Sequence, residues 1–353
     1  MKYATVFFLF LLSSFAFSDT TFYGSLNVGL EYRDLKNNAL MDDHVQLQDA
    51  YSYIGAHHET ITPNGLTVFA KAETALDLAK GQTIESLQTS WAGSGATQEH
   101  IIKFGVTGSH GTLSAGHMWN AYYNAVAVHT DTFSSGWTGF DTYAPFRMNN
   151  LISYASPAYG SFSYSVNVQT QVDQDTGNAQ DRLLMGAAYE SGNAGVYVGF
   201  DNQGAGNSQL IGLALTYQIS QIRLAAKHEI LQKGFAGEDG TLTSLQISTT
   251  SGANTYRLHV ATGEYPSYLP IDDPDGKASE IKLGMTHALN DSWSLFAEYH
   301  QSDEYCAYDV TDGNGNGSYD DAGPDDTLGT GDDVLGNEIY GCKVISVGSH
   351  FSF

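Results

Sequence analysis

Hydrophobicity in this chain repeats every second residue, and that period constrains the fold more than any other feature. Ile211, Leu213, Leu215 and Tyr217 alternate with Gly212, Ala214 and Thr216, and Tyr256, Leu258 and Val260 alternate with Arg257, His259 and Ala261. Trp293, Leu295, Ala297 and Tyr299 alternate with Ser294, Phe296, Glu298 and His300, and the rhythm returns at Ile345, Val347, Phe351 and Phe353. Side chains two apart share one face of a β-strand, so each run has one apolar face and one small or polar face. A soluble sandwich alternates too, but its strands run to about 5–6 residues and its apolar face points into a core. Here runs such as 209–219 and 292–305 are longer, and the polar face holds Arg, Lys, Glu and His together. An apolar exterior around a polar interior is the pattern of a membrane-spanning barrel. The expected fold is all-β, a transmembrane antiparallel β-barrel.

The first eighteen residues read as an export signal. Lys2 supplies the positive charge, Val6–Leu12 is a short apolar run, and Ala16 and Ser18 are small residues placed for cleavage before Asp19. The expected organisation is therefore a signal peptide over 1–18 and one outer-membrane barrel domain over 19–353. Strands are expected at 20–33, 46–59, 66–77, 99–108, 111–122, 147–157, 161–173, 182–191, 194–203, 209–219, 221–233, 241–251, 254–265, 280–289, 292–305 and 338–353. That makes an even number, 16 strands, as single-chain bacterial barrels have. Connections alternate in length. Gly108–Gly111, Pro157–Gly160, Gly192–Asn193 and Gly252–Ala253 are tight and rich in turn residues, whereas 34–45, 78–98, 123–146, 266–279 and 306–337 are long.

Charge and composition exclude other classes. The 353 residues carry 15 Lys+Arg against 39 Asp+Glu, a net charge of −24, which leaves no basic surface for nucleic acid. With 38 glycines and 22 tyrosines but only 15% charged residues, the chain is also unlike a helical bundle. The 12 histidines show no His-x-x-x-His spacing, the two cysteines form no Cys-x-x-Cys, and no nucleophile motif is visible, so no enzyme is expected. Charged residues on the alternating runs are expected to face inward, because a charge on the lipid face near the midplane costs about 2–4 kcal/mol. By that argument Arg223, Lys227, Arg257 and Lys282, with Glu229 and Glu298, line the lumen. Lys71 and Glu73 share a face and join them.

Several stretches resemble the general bacterial porins of the Gram-negative outer membrane. They are Phe22-Tyr23-Gly24, Tyr53-Ile54-Gly55 with His58-Glu59, Asn64-Gly65-Leu66, Gly111-Thr112-Leu113-Ser114-Ala115-Gly116-His117, Arg147-Met148-Asn149-Asn150-Leu151-Ile152-Ser153-Tyr154, and the terminal Phe353. The resemblance covers essentially all of 19–353. It implies a trimeric, sixteen-stranded diffusion channel beside outer-membrane lipid and lipopolysaccharide, whose third long loop folds inward and narrows the lumen. The counterpart of that loop is 123–146, with Phe133, Asp131, Trp137 and Asp141. In the family, acidic groups of this loop oppose arginines on the wall. Here Arg147 matches one arginine position, and Tyr53, His100 and His117 stand at the others, so a less anion-friendly constriction is implied. The function expected is passive diffusion of ions and small hydrophilic solutes with weak cation preference, since acidic loops at the mouth concentrate cations.

Two alternatives stay open. One is a solute-selective pore in which Tyr53, Trp137, Phe133 and Tyr143 stack on oligosaccharides. The other is a structural or adhesive surface barrel with a closed lumen. In the last long loop, Cys306 and Cys342 flank a hairpin connection and are expected to form a disulfide, with two free thiols as the alternative. Between them, Asp312, Asn314, Asn316 and Gly317 match the first half of a calcium loop, with Asp320 at its ninth position. The twelfth position is Gly323, so the usual bidentate carboxylate is missing. No cofactor is required, and calcium there would be structural; the alternative is a solvated acidic loop screened by salt or by the divalent ions that bridge lipopolysaccharide.

Overall fold

Alternation over long runs yields strands, and strands whose apolar side meets lipid must satisfy every backbone group by pairing. The computed structural model describes residues 19–35, 43–83, 100–135, 142–170, 182–202, 208–233, 239–264, 277–305, 320–321, 334–335 and 340–353. The expected signal peptide, 1–18, lies outside them.

The strands are β1 (Thr20–Leu35), β2 (two segments, His44–Asp49 and Tyr53–Ile61), β3 (Thr67–Asp77), β4 (Ile102–Gly108), β5 (Gly111–Trp119) and β6 (Arg147–Ala155). They continue with β7 (Phe162–Gln169), β8 (Arg182–Ser191), β9 (Ala194–Asp201), β10 (Gln209–Ile219) and β11 (Ile222–Gln232). The last are β12 (Gly240–Ser251), β13 (Asn254–Glu264), β14 (Lys277–Ala288), β15 (Trp293–Tyr305) and β16 (Tyr340–Ser352). One sheet contains 18 paired segments. Two of these make up β2 and another, Gln82–Thr83, is a short flap on β3, so 18 − 2 = 16 barrel strands remain. Each strand pairs antiparallel with the next, and β16 closes on β1 from Ser25↔Ser352 to Leu35↔Cys342. Closure leaves no open edge. A short separate pair joins Asp320–Asp321 to Val334–Leu335.

Tight hairpins form where the chain can take left-handed backbone. The turns at Gly192 (φ 57°) and Gly252 (φ 58°) use glycine for this, and two-residue hairpin loops favour positive φ because it matches strand twist. The alternation partitions the wall. On β10, Ile211, Leu213, Leu215 and Tyr217 are exposed while Leu210 and Ala214 are fully buried. The exposed face is apolar in strand after strand, from Leu30 and Phe104 to Ile345 and Val347. Aromatic residues gather at the short-turn ends, where Tyr154 and Tyr164 lie 5.9 Å apart and Trp293 and Phe351 4.9 Å apart. Such a band flanked by aromatic residues suits a bilayer and would be a liability in water.

The fifth strand stops earlier than its sequence suggests. Residues 121–122, expected as strand, open α1 (Ala121–Ala125), capped by Asn120, whose side chain accepts from the Tyr123 amide. A 3-10 turn, Ala127–His129, follows. The stretch after Asn120 is rich in alanine, and a good cap ahead of it lets one helical turn compete with the strand. The main apolar cluster sits where α1 meets the sheet: Tyr122, Val126, Met148, Leu184 and Leu210 are buried there.

Candidate functional site

The strand period places acid and base two residues apart on the same face, and the polar face is built from such pairs. Lys71 meets Glu73 at 2.9 Å on β3, Lys227 meets Glu229 at 3.4 Å on β11, and Lys282 meets Glu280 at 3.5 Å on β14. Arg33 and Glu31 repeat the pattern at 3.0 Å on β1. Pairing offsets the cost of holding these charges out of bulk water. Arg257 instead donates to Thr286 at 2.8 Å, and Arg223 donates to the His129 carbonyl at 3.0 Å.

Three of the expected wall residues converge. The Tyr53 and His100 rings are 4.7 Å apart, and His100 Nδ1 lies 3.0 Å from Arg147 Nη1. Glu73 joins them: Tyr23 donates to it at 2.8 Å, the Ile101 amide at 3.2 Å, and His100 lies 3.4 Å away. The guanidinium of Arg147 also lies 4.9 Å from the centre of the Trp119 ring, a cation–π distance. Trp119 stacks on Tyr123 at 4.5 Å, and Phe146 meets Trp119 edge-on and tilts against Tyr123. His117 is buried in β5, opposite Ile102.

The connection between β5 and β6 touches the polar face at widely separated strands. Tyr122 donates to Glu229 at 3.0 Å, and the Thr142 hydroxyl (2.6 Å) and Tyr143 amide (3.2 Å) reach the same carboxylate. The Ser134 and Ser135 amides donate to Glu298 on β15 at 2.7 and 2.8 Å. Gln246 on β12 donates to Thr132 at 2.6 Å, and Asn27 on β1 donates to the Ser134 carbonyl at 2.5 Å. Phe133 lies 5.8 Å from Lys282 Nζ and 6.2 Å from the His259 ring. Burial and the nearby Glu229 carboxylate push the Tyr122 phenol well up. Burial and then the charge of Arg223 hold the His129 imidazole down to about 4.

Asp131, expected to face the arginine wall, accepts from Tyr123 at 2.6 Å, whereas Arg147 turns to His100 and Trp119. Of the residues named for solute stacking, Tyr53, Phe133 and Tyr143 lie among the described residues. Tyr53 sits with His100, Phe133 with Lys282, and Tyr143 donates to the Thr241 carbonyl on β12. Trp137, Asp141, Cys306, Asp312, Asn314 and Asn316 lie outside the described residues, as do the side chains of Asp320 and Cys342. The backbone of Cys342 pairs opposite Ser302. Sequence reasoning missed Trp119 and Tyr123, since a tryptophan ending a strand resembles any interfacial aromatic. It also missed the anchoring by Glu229 and Glu298, because backbone amides leave no mark in a sequence.

A family model described as Gram-negative porin matches residues 4–304. No curated protein matches in sequence. Among solved structures, the anion-selective porin from Comamonas acidovorans superposes with a TM-score of 0.65 at 16% identity, over 95% of this chain and 99% of that one. OmpT of Vibrio cholerae in its trimer form gives 0.63 at 13% identity, over 95% and 99%. OmpF of Salmonella typhi, solved with daunomycin, gives 0.63 at 14% identity, over 95% and 97%. A closed barrel with an apolar exterior and a charge-lined polar face, matched by this family model over most of its length, is a channel and not an enzyme: the chain belongs to the Gram-negative porins of the bacterial outer membrane.

Proposed function

We propose that the pore passes ions and small hydrophilic solutes with weak cation preference, and that the segment from Asn120 to Phe146 crosses the lumen and sets its narrowest point. The observation that carries this reading is the anchoring of one segment to Glu229 on β11, Glu298 on β15 and Asn27 on β1. Only β16 separates β15 from β1, but β11 lies four strands from β15 and six from β1, so a segment bonded on both sides reaches across the interior. Wall charges are largely paired, as at Lys71–Glu73 and Lys227–Glu229. The excess of acid, 39 Asp+Glu against 15 Lys+Arg, therefore acts chiefly through the loops. Anionic loops at a mouth enrich cations within about a Debye length, roughly 10 Å at 0.1 M salt.

Single-channel current in a planar bilayer under a salt gradient tests this. A reversal potential on the cation side that shrinks as salt rises supports the reading. An anion-side potential rejects the cation preference. A homotrimer is part of the same proposal, supported by the trimer form of the Vibrio cholerae OmpT that the fold resembles. Current steps in groups of three are its signature. We also propose the Cys306–Cys342 bridge and a structural calcium ion held by Asp312, Asn314, Asn316 and Asp320. Loss of thermal stability on reduction tests the first, and calcium-dependent protection of 306–342 from protease tests the second.

A further inference from the structure

On β11–β14 the apolar outer face of the barrel is interrupted by a polar row. Cross-strand pairing sets Val198, Leu213, His228, Thr243, Thr262 and Ser279 side by side from β9 to β14. Val198 and Leu213 continue the apolar surface, but the next four, all exposed, are one histidine and three hydroxyl residues. The row beneath is apolar again, with Leu245, Val260 and Ile281 exposed side by side.

The row lies within the depth of the bilayer. His228 stands six residues from Ile222, where β11 leaves its tight turn, and Ser279 nine from Ala288 at the turn end of β14. At about 3.3 Å per residue and a tilt near 45°, the row runs roughly 14–21 Å above the short-turn end. The apolar band of such a barrel is about 25 Å tall, so the row falls inside it, in the half nearer the long loops. Polar side chains at that depth mark a partner. The row holds no Lys or Arg, so it is not built to read headgroup phosphates. His228 Nδ1 engages Thr243 Oγ1 at 2.8 Å, and one step above, Thr241 donates to Glu264 at 3.4 Å. Hydroxyls and an imidazole exchange hydrogen bonds with neutral groups, and these four are spread over about 14 Å of wall.

We infer that this row is a docking surface for an outer-leaflet glycolipid whose amide-linked acyl chains carry hydroxyl groups near the head. The chain hydroxyls and amides meet His228, Thr243, Thr262 and Ser279, and the tails run down over Leu245, Val260 and Ile281. A hydroxylated amide chain both donates and accepts at this depth, whereas a plain ester-linked chain only accepts. The surface is on the outside of the wall, so it stands independently of what the pore conducts.

Native mass spectrometry of the whole protein, offered equal amounts of N-(β-hydroxymyristoyl)glucosamine and N-myristoylglucosamine, tests the assignment. The hydroxylated probe is expected to be retained about fivefold over its deoxy partner, the worth of one hydrogen bond. A double variant, Thr243→Val with Thr262→Val, keeps the side-chain shape but loses both hydroxyls, and should bring the ratio close to one. β-Sheet circular dichroism establishes that the variant is folded, and its single-channel current should match the parent's, since neither residue faces the lumen. Equal retention of the two probes by the parent, or an undiminished preference in the double variant, overturns the docking surface. A drop in oligomeric mass in the double variant would reassign the row to a contact between subunits and overturn it as well.

Discussion

The backbone amide of Ser135 donates to Glu298 Oε2 across 2.8 Å, although 163 residues separate them, and the Ser134 amide takes the other oxygen at 2.7 Å. Two amides on one carboxylate fix the segment before it returns to β6. Hydrogen bonds to a charged acceptor are worth about 1.5–3 kcal/mol each. Glu298→Ala is expected to free this end of the segment, raise single-channel current and admit larger sugars in liposome swelling. Glu298→Gln keeps the shape but only one good acceptor, and falls between. Unchanged current and size limit in Glu298→Ala would refute the anchor.

A hydrogen atom at Gly186 makes room for α1. A Cβ there would stand 2.4 Å from the Ala121 carbonyl oxygen and 2.7 Å from Ala125 Cβ. Gly186→Ala is expected to push α1 off the sheet, because overpacking of this kind costs about 1–3 kcal/mol. Gly65 differs: nothing lies within 4 Å, but its φ is +77°. Gly65→Ala should cost about 1–2 kcal/mol in backbone strain at the turn. Thermal melting with bilayer current separates the two. Gly186→Ala alters current as well as lowering melting, and Gly65→Ala lowers melting while leaving current alone.

Barrel closure is itself testable at the last residue. Phe353 exchanges backbone hydrogen bonds with Gly24 at 3.0 and 3.2 Å, and its ring would meet a Cβ on Gly24 at 2.7 Å. Gly24→Val should disrupt the β1–β16 seam at its turn-side end and lower the yield of refolded barrel, measured by circular dichroism. Gly192→Asn, at an open turn where asparagine tolerates positive φ, should refold like the parent.

Much of the barrel was legible because its physics is local. Period two needs only neighbours in sequence, so β8 and β10, expected at 182–191 and 209–219, fall there in the structure. Same-face pairs such as Lys71 and Glu73 follow from that period alone. Residues that break the period were not legible. The bulge at Tyr51 depends on Asp49 capping Ser52, and α1 depends on Asn120 overriding strand propensity. The partners of Arg147 come from β5 and the residues just before β4, and no spacing encodes them. His100 and Tyr53 were found through a family resemblance, and the structure brings both into the Arg147 cluster.

Proton uptake should loosen the segment at its other end. His129 stacks on Tyr197 with centroids 3.8 Å apart, and its carbonyl accepts from Arg223. Burial and then Arg223 hold its imidazole down to about 4, against the weaker opposing pull of Glu190. A free histidine titrates near ~6.5. Between these values the released segment binds a proton that the docked one does not, so docking is at full strength above ~6.5 and is lost as pH falls through about 4. Protonated His129 would also stand beside Arg223 with like charge. Open-channel noise is therefore expected to grow as pH drops from 6.5 toward 4. Arg223→Gln removes the repulsion and should reduce that growth, because a protonated His129 is then better tolerated while docked. His129→Phe should leave noise flat over the window. A His129→Phe channel with the parent's pH profile would assign the effect to other groups and remove His129 from the docking account.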